Sequence, residues 1–176
     1  ALRLDPEDAE AHRIMGNMQL IMYRDFDKAR THYERAMQLA PNNAYIVGRV
    51  AAYYIFDGDP DRGLELLERA EAMDPFVPVW ILEDRIRAHY VLGRYEDMFA
   101  CARSLPFQTR CSRIFRAVVH SKQGDKERAR KLIAATLADD PNLTSDYIQV
   151  QELYRDQSIK EEILSHATAS GLPDPA

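Results

Sequence analysis

The sequence has few of the residues that interrupt helices or that build covalent and metal sites. Its 176 residues include only seven glycines, nine prolines and two cysteines. The glycines and prolines lie mostly between periodic segments, which favours helices over a sandwich of short strands. The spacing of Cys101 and Cys111 matches no zinc or redox motif. We therefore interpret both as reduced, structural residues of a cytoplasmic protein.

Long apolar runs and basic clusters are also missing. No uninterrupted apolar stretch approaches the ~18 residues that a membrane-spanning helix needs. The first ten residues, ALRLDPEDAE, lack the basic start and apolar run of a secretory signal. The net charge of −5 argues against nucleic acid, whose binding depends on clustered Lys and Arg. We predict neither a membrane segment nor a nucleic-acid partner.

What the sequence does contain is a recurring hexapeptide that ends in proline. The four copies are ALRLDP, AMQLAP, AEAMDP and TLADDP, which end at Pro6, Pro41, Pro75 and Pro141. Since proline cannot continue a helix, each copy marks a helix end. The successive separations are 35, 34 and 66 residues, the last being close to two periods. A period of about 34 residues is typical of stacked helix pairs that cannot bury their apolar faces alone.

The residues inside each period resemble the tetratricopeptide repeat family. The first unit matches at His12, Met15, Gly16, Phe26, Ala29, Tyr33, Ala36 and Pro41, with one residue inserted in its turn. The second matches at Val50, Ala51, Tyr54, Gly58, Gly63, Leu67, Ala70 and Pro75, and the fourth at Ala117, Gly124, Ala129, Ile133, Thr136 and Pro141. The third matches at Leu92-Gly93-Arg94-Tyr95 and then departs, because its second helix stops at Ser104-Leu105-Pro106. In this pattern small residues such as Gly16 and Gly63 allow two helices to approach, and large ones such as Tyr33 fill the space against the next pair.

The resemblance implies an all-α, right-handed α-solenoid of tetratricopeptide-type helix hairpins. We predict one domain over 1–176, comprising the tail of a preceding repeat (1–6), four repeats (7–41, 42–75, 76–106 and 107–141) and capping helices with a tail (142–176). The predicted helices are 8–23, 26–40, 43–57, 60–73, 78–92, 95–104, 109–122, 125–139, 144–154 and 158–169. The last two are expected to present a polar outer face with Glu152, Arg155, Asp156, Lys160, Glu161 and Glu162.

A narrower resemblance covers roughly the last hundred residues. Asp74-Pro75-Phe76, the run Leu92–Asp97 and the closing Ser170-Gly171-Leu172-Pro173 are similar to the carboxy-terminal repeat regions of bacterial class III adenylate cyclases. This resemblance implies that the chain is a regulatory module of a larger bacterial protein. We accordingly expect the native protein to extend upstream of Ala1 and to carry an effector domain there.

Two patterns look like sites but have simpler interpretations. Asp57–Glu68 spaces carboxylates like a calcium loop, but Arg62 replaces the glycine of the sharp turn. Asp59 and Pro60 instead suit the start of a helix. The histidines lie far apart, and none forms a helical metal motif with a nearby glutamate. Since no nucleophile elbow or phosphate loop occurs either, we predict no catalytic residue, no metal and no cofactor.

The remaining candidate site is the inner face, which the first helix of each pair lines in this architecture. The residues predicted to form a peptide-binding groove are Arg13, Asn17, Tyr45, Arg49, Trp80, Glu83 and Arg87. Aromatic and arginine side chains are typical of binding hot spots, and Trp80 is the expected anchor. The alternative for Trp80 is packing between two helix pairs. Arg13 and Asn17 also stand where a chaperone-binding clamp would begin, although the later basic residues of such a clamp are missing.

These patterns predict a protein–protein interaction scaffold that binds a peptide or partner domain, and not an enzyme. The alternative is a self-association module that makes a parent regulator, such as a bacterial cyclase, into a homo-oligomer. A protein partner is expected in either case.

Overall fold

The computed structural model describes residues 5–175. It divides into two compact units, unit 1 (Ala1–Ile81) and unit 2 (Leu82–Ala176). The described residues form ten helices and no strand: α1 Ala9–Ile21, α2 Phe26–Leu39, α3 Ala44–Asp57, α4 Pro60–Met73, α5 Val79–Val91, α6 Tyr95–Ser104, α7 Arg110–Lys122, α8 Lys126–Asp139, α9 Asp146–Gln151 and α10 Gln157–Ala169. The prediction of an all-α fold built from helix hairpins is confirmed. The division between units falls within α5, and the prediction of a single domain stays a prediction.

Short polar side chains determine where most of the helices begin. In each case a side-chain oxygen accepts a hydrogen bond from the backbone N–H three residues on, and the residues that do this are Asp8, Asp25, Asn43, Asp59, Thr109 and Asp125. Such a cap stabilises a helix by about 1 kcal/mol. The interpretation of Asp59 as a cap followed by a first-turn proline is confirmed.

Close helix contacts in unit 1 depend on small residues, as the repeat pattern predicted. A Cβ atom on Gly63 would lie 2.5 Å from Ile55 Cγ1 and 3.1 Å from the backbone oxygen of Ala51. A Cβ atom on Gly16 would lie 3.0 Å from the ring of Tyr33, which is only 2% exposed. The tyrosine ring therefore occupies the space that a side chain at position 16 would need, and α1 and α2 pack directly on each other.

In unit 2 the predicted helix 144–154 is wrong in length, because α9 ends at Gln151. The next three residues, Glu152, Leu153 and Tyr154, are buried and continue without helical structure. The placement of Glu152 on a polar outer face is also wrong. Its carboxylate accepts hydrogen bonds from Arg87 Nε at 3.1 and 3.2 Å inside the unit, and this buried partner explains why the charged residue points inward.

The end of the described chain folds back on the start of α9. Leu172 is 2% exposed, and its N–H donates to the carbonyl oxygen of Ala167. The N–H of Ser145 donates to the carbonyl oxygen of Pro173 at 2.8 Å, and its hydroxyl donates to Asp174 at 2.8 Å. The tail is thus part of the packed structure of unit 2.

The short helix expected in the third repeat is confirmed, since α6 has ten residues and ends two residues before Pro106. Among residues 5–175, no helix combines the length and the apolar character needed to cross a membrane.

Candidate interaction surfaces

The predicted groove residues fall on the first helix of three successive hairpins. Arg13 and Asn17 lie on α1, Tyr45 and Arg49 on α3, and Trp80, Glu83 and Arg87 on α5. The first five belong to unit 1, whereas Glu83 and Arg87 belong to unit 2.

Four of these residues form a continuous stack in unit 1, which we call the Trp80 surface (Arg13, Tyr45, Arg49 and Trp80). The guanidinium carbon of Arg13 lies 5.2 Å from the centre of the Tyr45 ring. Tyr45 meets Trp80 edge to face, with ring centroids 5.7 Å apart and an interplanar angle of 87°. Arg49 covers the Trp80 ring at 5.0 Å. Cation–π and edge-to-face contacts of this kind each contribute about 0.5–1 kcal/mol at exposed sites.

Trp80 reaches this stack by packing against the preceding helix pair. Its ring lies over Gly48 of α3, where an added Cβ would come within 2.8 Å of Trp80 Cη2. Only glycine leaves enough room for so large a ring at this position. The side chain is half-buried, while Tyr45 beside it is 46% exposed. Trp80 therefore packs on α3 and also borders the surface, which combines features of both interpretations offered by the sequence.

Hydrogen bonds within the chain orient Arg13 and Asn17. Arg13 Nε donates to Glu10 Oε2 at 2.8 Å, and a second bond joins Arg13 Nη2 to Glu10 Oε1. This pairing with Glu10 raises the pKa of Arg13. Asn17 Oδ1 accepts from the Tyr33 hydroxyl. A carboxylate clamp at Arg13 and Asn17 would have to compete with these internal partners.

Arg49 differs because one of its hydrogen-bond donors has no partner. Its Nε atom is buried and has no hydrogen-bond partner within residues 5–175. Burying a donor without a partner costs about 1–3 kcal/mol.

Arg87 has a different environment in unit 2. It is 6% exposed and joins two carboxylates, with Nη1 3.1 Å from Asp84 Oδ1 and Nε 3.1 Å from Glu152 Oε1. Its guanidinium also lies 5.9 Å from the centre of the Phe115 ring. These contacts connect α5 with α7 and with the segment after α9, so this arginine holds the core of the unit together.

A cavity of about 600 Å³ lies in unit 2, between α5, α7, α9 and the end of α8. We call it the Glu83 cavity; it is lined by Glu83, Phe107, Gln108, Thr109, Arg110, Arg113, Asp139, Asp140, Tyr147 and Gln151. Its two arginines are paired, Arg110 with Asp140 and Arg113 with Asp139. Glu83 has no hydrogen bond or ion pair within residues 5–175, so it gives the cavity an available carboxylate beside aromatic rings.

The sequence prediction included Glu83 but not the rest of this cavity. Arg110 and Arg113 begin α7, and Tyr147 and Gln151 lie on the short α9. In the fourth repeat the register of Trp80 and Glu83, counted from Gly124 instead of Gly93, reaches Cys111 and Ile114, which are buried. The repeat pattern therefore carries no signal for Arg110 and Arg113.

Two other groups of polar side chains contain histidine or cysteine. His12 Nδ1 lies 3.0 Å from His32 Nδ1, although the two residues are 20 positions apart. Burial, followed by the charge of His12, lowers the pKa of His32. Cys111 is 1% exposed, and burial raises the pKa of its thiol well above the usual value. The described residues contain no group of three or more His, Cys, Asp or Glu side chains that could hold a metal ion.

Comparison with known proteins identifies the repeat region. A tetratricopeptide repeat family model matches residues 20–86. U-box domain-containing protein 70 of Oryza sativa subsp. japonica is 30% identical over 99 residues, which cover 56% of this chain and 12% of that protein. Neither match supports the resemblance to adenylate cyclases, which stays a prediction.

Proposed function

Because residues 20–86 carry tetratricopeptide repeats, we propose that the chain is a protein–protein interaction module that binds a peptide segment of a partner. The Trp80 surface is the contact site in this proposal. The observation that carries it is the stack of Arg13, Tyr45, Trp80 and Arg49 at a surface where Tyr45 remains 46% exposed. Binding energy at interfaces comes mainly from a few large side chains, and tryptophan, tyrosine and arginine are enriched among them.

The physical basis of binding is the order already present in the stack. Tyr45 and Arg49 are positioned by the Trp80 ring before a ligand arrives, so little side-chain entropy remains to be lost. The half-buried guanidinium of Arg49 supplies a directional contact for an acceptor such as a peptide carbonyl or carboxylate. An extended or helical peptide would lie against the rings and be oriented by the arginines.

The single tryptophan of the chain makes this proposal directly measurable. Peptides selected from a displayed library against the immobilised chain should change the fluorescence of Trp80 on binding. The Tyr45→Ala variant should weaken such peptides about tenfold or more, since hot-spot truncations cost about 2 kcal/mol. Its melting temperature should change little, because the ring is largely exposed.

Phe76→Ala is the matched control, since Phe76 is also exposed, at 90%, but lies outside the Trp80 surface. Peptides that bind the Tyr45→Ala and Phe76→Ala variants equally well would refute the proposal. Trp80→Ala gives a second criterion. A loss of about 3–5 kcal/mol in unfolding free energy would identify Trp80 as a core residue, and the binding site would then rest on the arginines and Tyr45.

A second candidate function is self-association, and one observation in unit 1 favours it. Large apolar side chains are exposed along one stretch of α1 and the turn after it: Ile14, Met18, Ile21, Met22 and Tyr23. Exposed apolar patches of this kind mark contact sites on other proteins. Light scattering at increasing concentration tests this candidate. A dimer that Met18→Glu dissociates would support it, whereas a monomer at every concentration would exclude it.

A further inference from the structure

A second cavity of unit 2, of about 360 Å³, collects positive charge from three helices. Arg103 comes from α6, Arg116 and His120 from α7, and Arg128 from α8. We call these four residues the arginine groove. One wall is formed by Phe99 and His120, whose ring centroids lie 5.1 Å apart.

The charges in the arginine groove are only partly neutralised. Arg103 is exposed and has no ion pair within the described residues. Arg116 is half-buried, and its guanidinium donates to the side-chain oxygen of Gln108, a neutral amide. Only Arg128 has a carboxylate partner, with its Nε 3.3 Å from Asp125. At least two guanidinium groups are therefore available to an incoming anion.

The pKa shifts of Arg116 and His120 agree with repulsion between neighbouring positive charges. Burial, followed by the charges of Arg113 and Arg103, lowers the pKa of Arg116. Burial also lowers the pKa of His120; Asp125 acts in the opposite direction, while Arg128 and Arg116 lower it further. Adding another positive charge is unfavourable at this place, and adding a negative charge would relieve the repulsion.

We propose that the arginine groove binds a phosphate monoester, carried by a small molecule or by a phosphorylated side chain. A dianion with three acceptor oxygens matches several converging guanidinium groups, whose planar forks bind phosphate in pairs of hydrogen bonds. Glu96 lines the same cavity and repels anions. A singly charged carboxylate gains less from the arginines against this repulsion, so the site favours the doubly charged group.

The proposal is tested by following His120 in the full chain by NMR. The pKa of the His120 ring is measured in chloride, in inorganic phosphate and with a short phosphoserine peptide, all at equal ionic strength. Either phosphate probe should raise the pKa of His120 and saturate, whereas chloride should not. Tighter binding of the peptide than of inorganic phosphate would identify a phosphorylated side chain as the source; equal binding would identify a free phosphate compound.

Matched substitutions distinguish a specific phosphate site from a general effect of positive charge on the surface. Arg103→Gln should weaken phosphate about tenfold, the effect of losing a charge-assisted hydrogen bond, and it should fold because this side chain is exposed and unpaired. Arg130→Gln removes the same charge from an exposed position of α8 outside the cavity and should leave binding unchanged. Glu96→Gln should strengthen binding. An equal response of the Arg103→Gln and Arg130→Gln variants, or no change of the His120 pKa with phosphate, would overturn the proposal.

Discussion

The two units place arginines from the same inward face of the repeat in different environments. In unit 1, Arg49 is half-buried and lies over the Trp80 ring, while Arg13 is buried, lies over the Tyr45 ring and pairs with the exposed carboxylate of Glu10. In unit 2, Arg87 is buried between Asp84 and Glu152. A position in the repeat therefore decides on which face a side chain lies, but the neighbouring residues decide whether it can meet a ligand.

The difference has an energetic consequence. A ring contact at the surface contributes about 0.5–1 kcal/mol and can be lost without harm to the fold. A buried charge that loses its partner costs about 3–5 kcal/mol, because the remaining charge stays desolvated. Loss of the Arg49 ring contact should accordingly affect binding in unit 1, and loss of a partner of Arg87 should affect stability in unit 2.

The largest expected effect is that of Glu152→Ala. It removes one of the two carboxylates that neutralise Arg87 and should lower the free energy of unfolding by about 3–5 kcal/mol. Chemical denaturation measures this. Glu161→Ala removes an exposed carboxylate nine residues away in α10 and should change stability by less than about 0.5 kcal/mol. Similar small losses in both variants would mean that unit 2 does not depend on the buried pair.

A smaller effect is expected from Gly48→Ala in unit 1. The new methyl group would meet the Trp80 ring at 2.8 Å, and the ring must move. Overpacking of this kind costs about 1–3 kcal/mol, against a gain of up to about 1 kcal/mol in helix propensity. The emission of Trp80 should shift and peptide binding should weaken. A more stable variant with unchanged emission would show that the ring does not depend on this glycine.

A smaller, pH-dependent effect is expected from His32. Its pKa is lowered in the folded chain, so the unfolded chain, with a histidine pKa near 6.5, binds more protons around that value. The contribution of His32 to stability is therefore fully present above the pKa of the unfolded chain. It is lost as the pH falls through about 6.5 towards the lower pKa of the folded chain. The fall in melting temperature between pH 7.5 and 5.5 should be smaller in His32→Gln than in the natural chain; an equal fall in both would contradict this assignment.

No effect is expected from calcium. The segment Asp57–Glu68 is mostly helical from Pro60 onwards, Asp59 caps α4, and Asp57 is paired with Arg30. Melting curves with calcium and with a chelator should coincide. A rise of several degrees with calcium would mean that these carboxylates rearrange to bind the ion.

Regular features of the sequence predicted most of the fold, because they act locally. Capping residues such as Asp59 and terminators such as Pro106 determine helix ends over three or four residues. The burial of Glu152 after α9 could not be predicted in this way, since its partner Arg87 lies 65 positions away. The same limit applied to the candidate site. The register predicted that Tyr45 and Trp80 lie on one face, and their rings do meet. The burial of Arg87 and the cluster of arginines from α6, α7 and α8 depend on contacts between distant segments.

The return of the tail onto α9 determines where the chain can be shortened or labelled. A truncation after Ser170 would remove the buried Leu172 and the acceptor that Pro173 offers to Ser145. The start of α9 would then lose its anchor, and proteases would gain access to the segment between α8 and α9. An affinity tag or fluorophore attached beyond Pro175 avoids this damage, whereas one inserted before Leu172 would displace the tail.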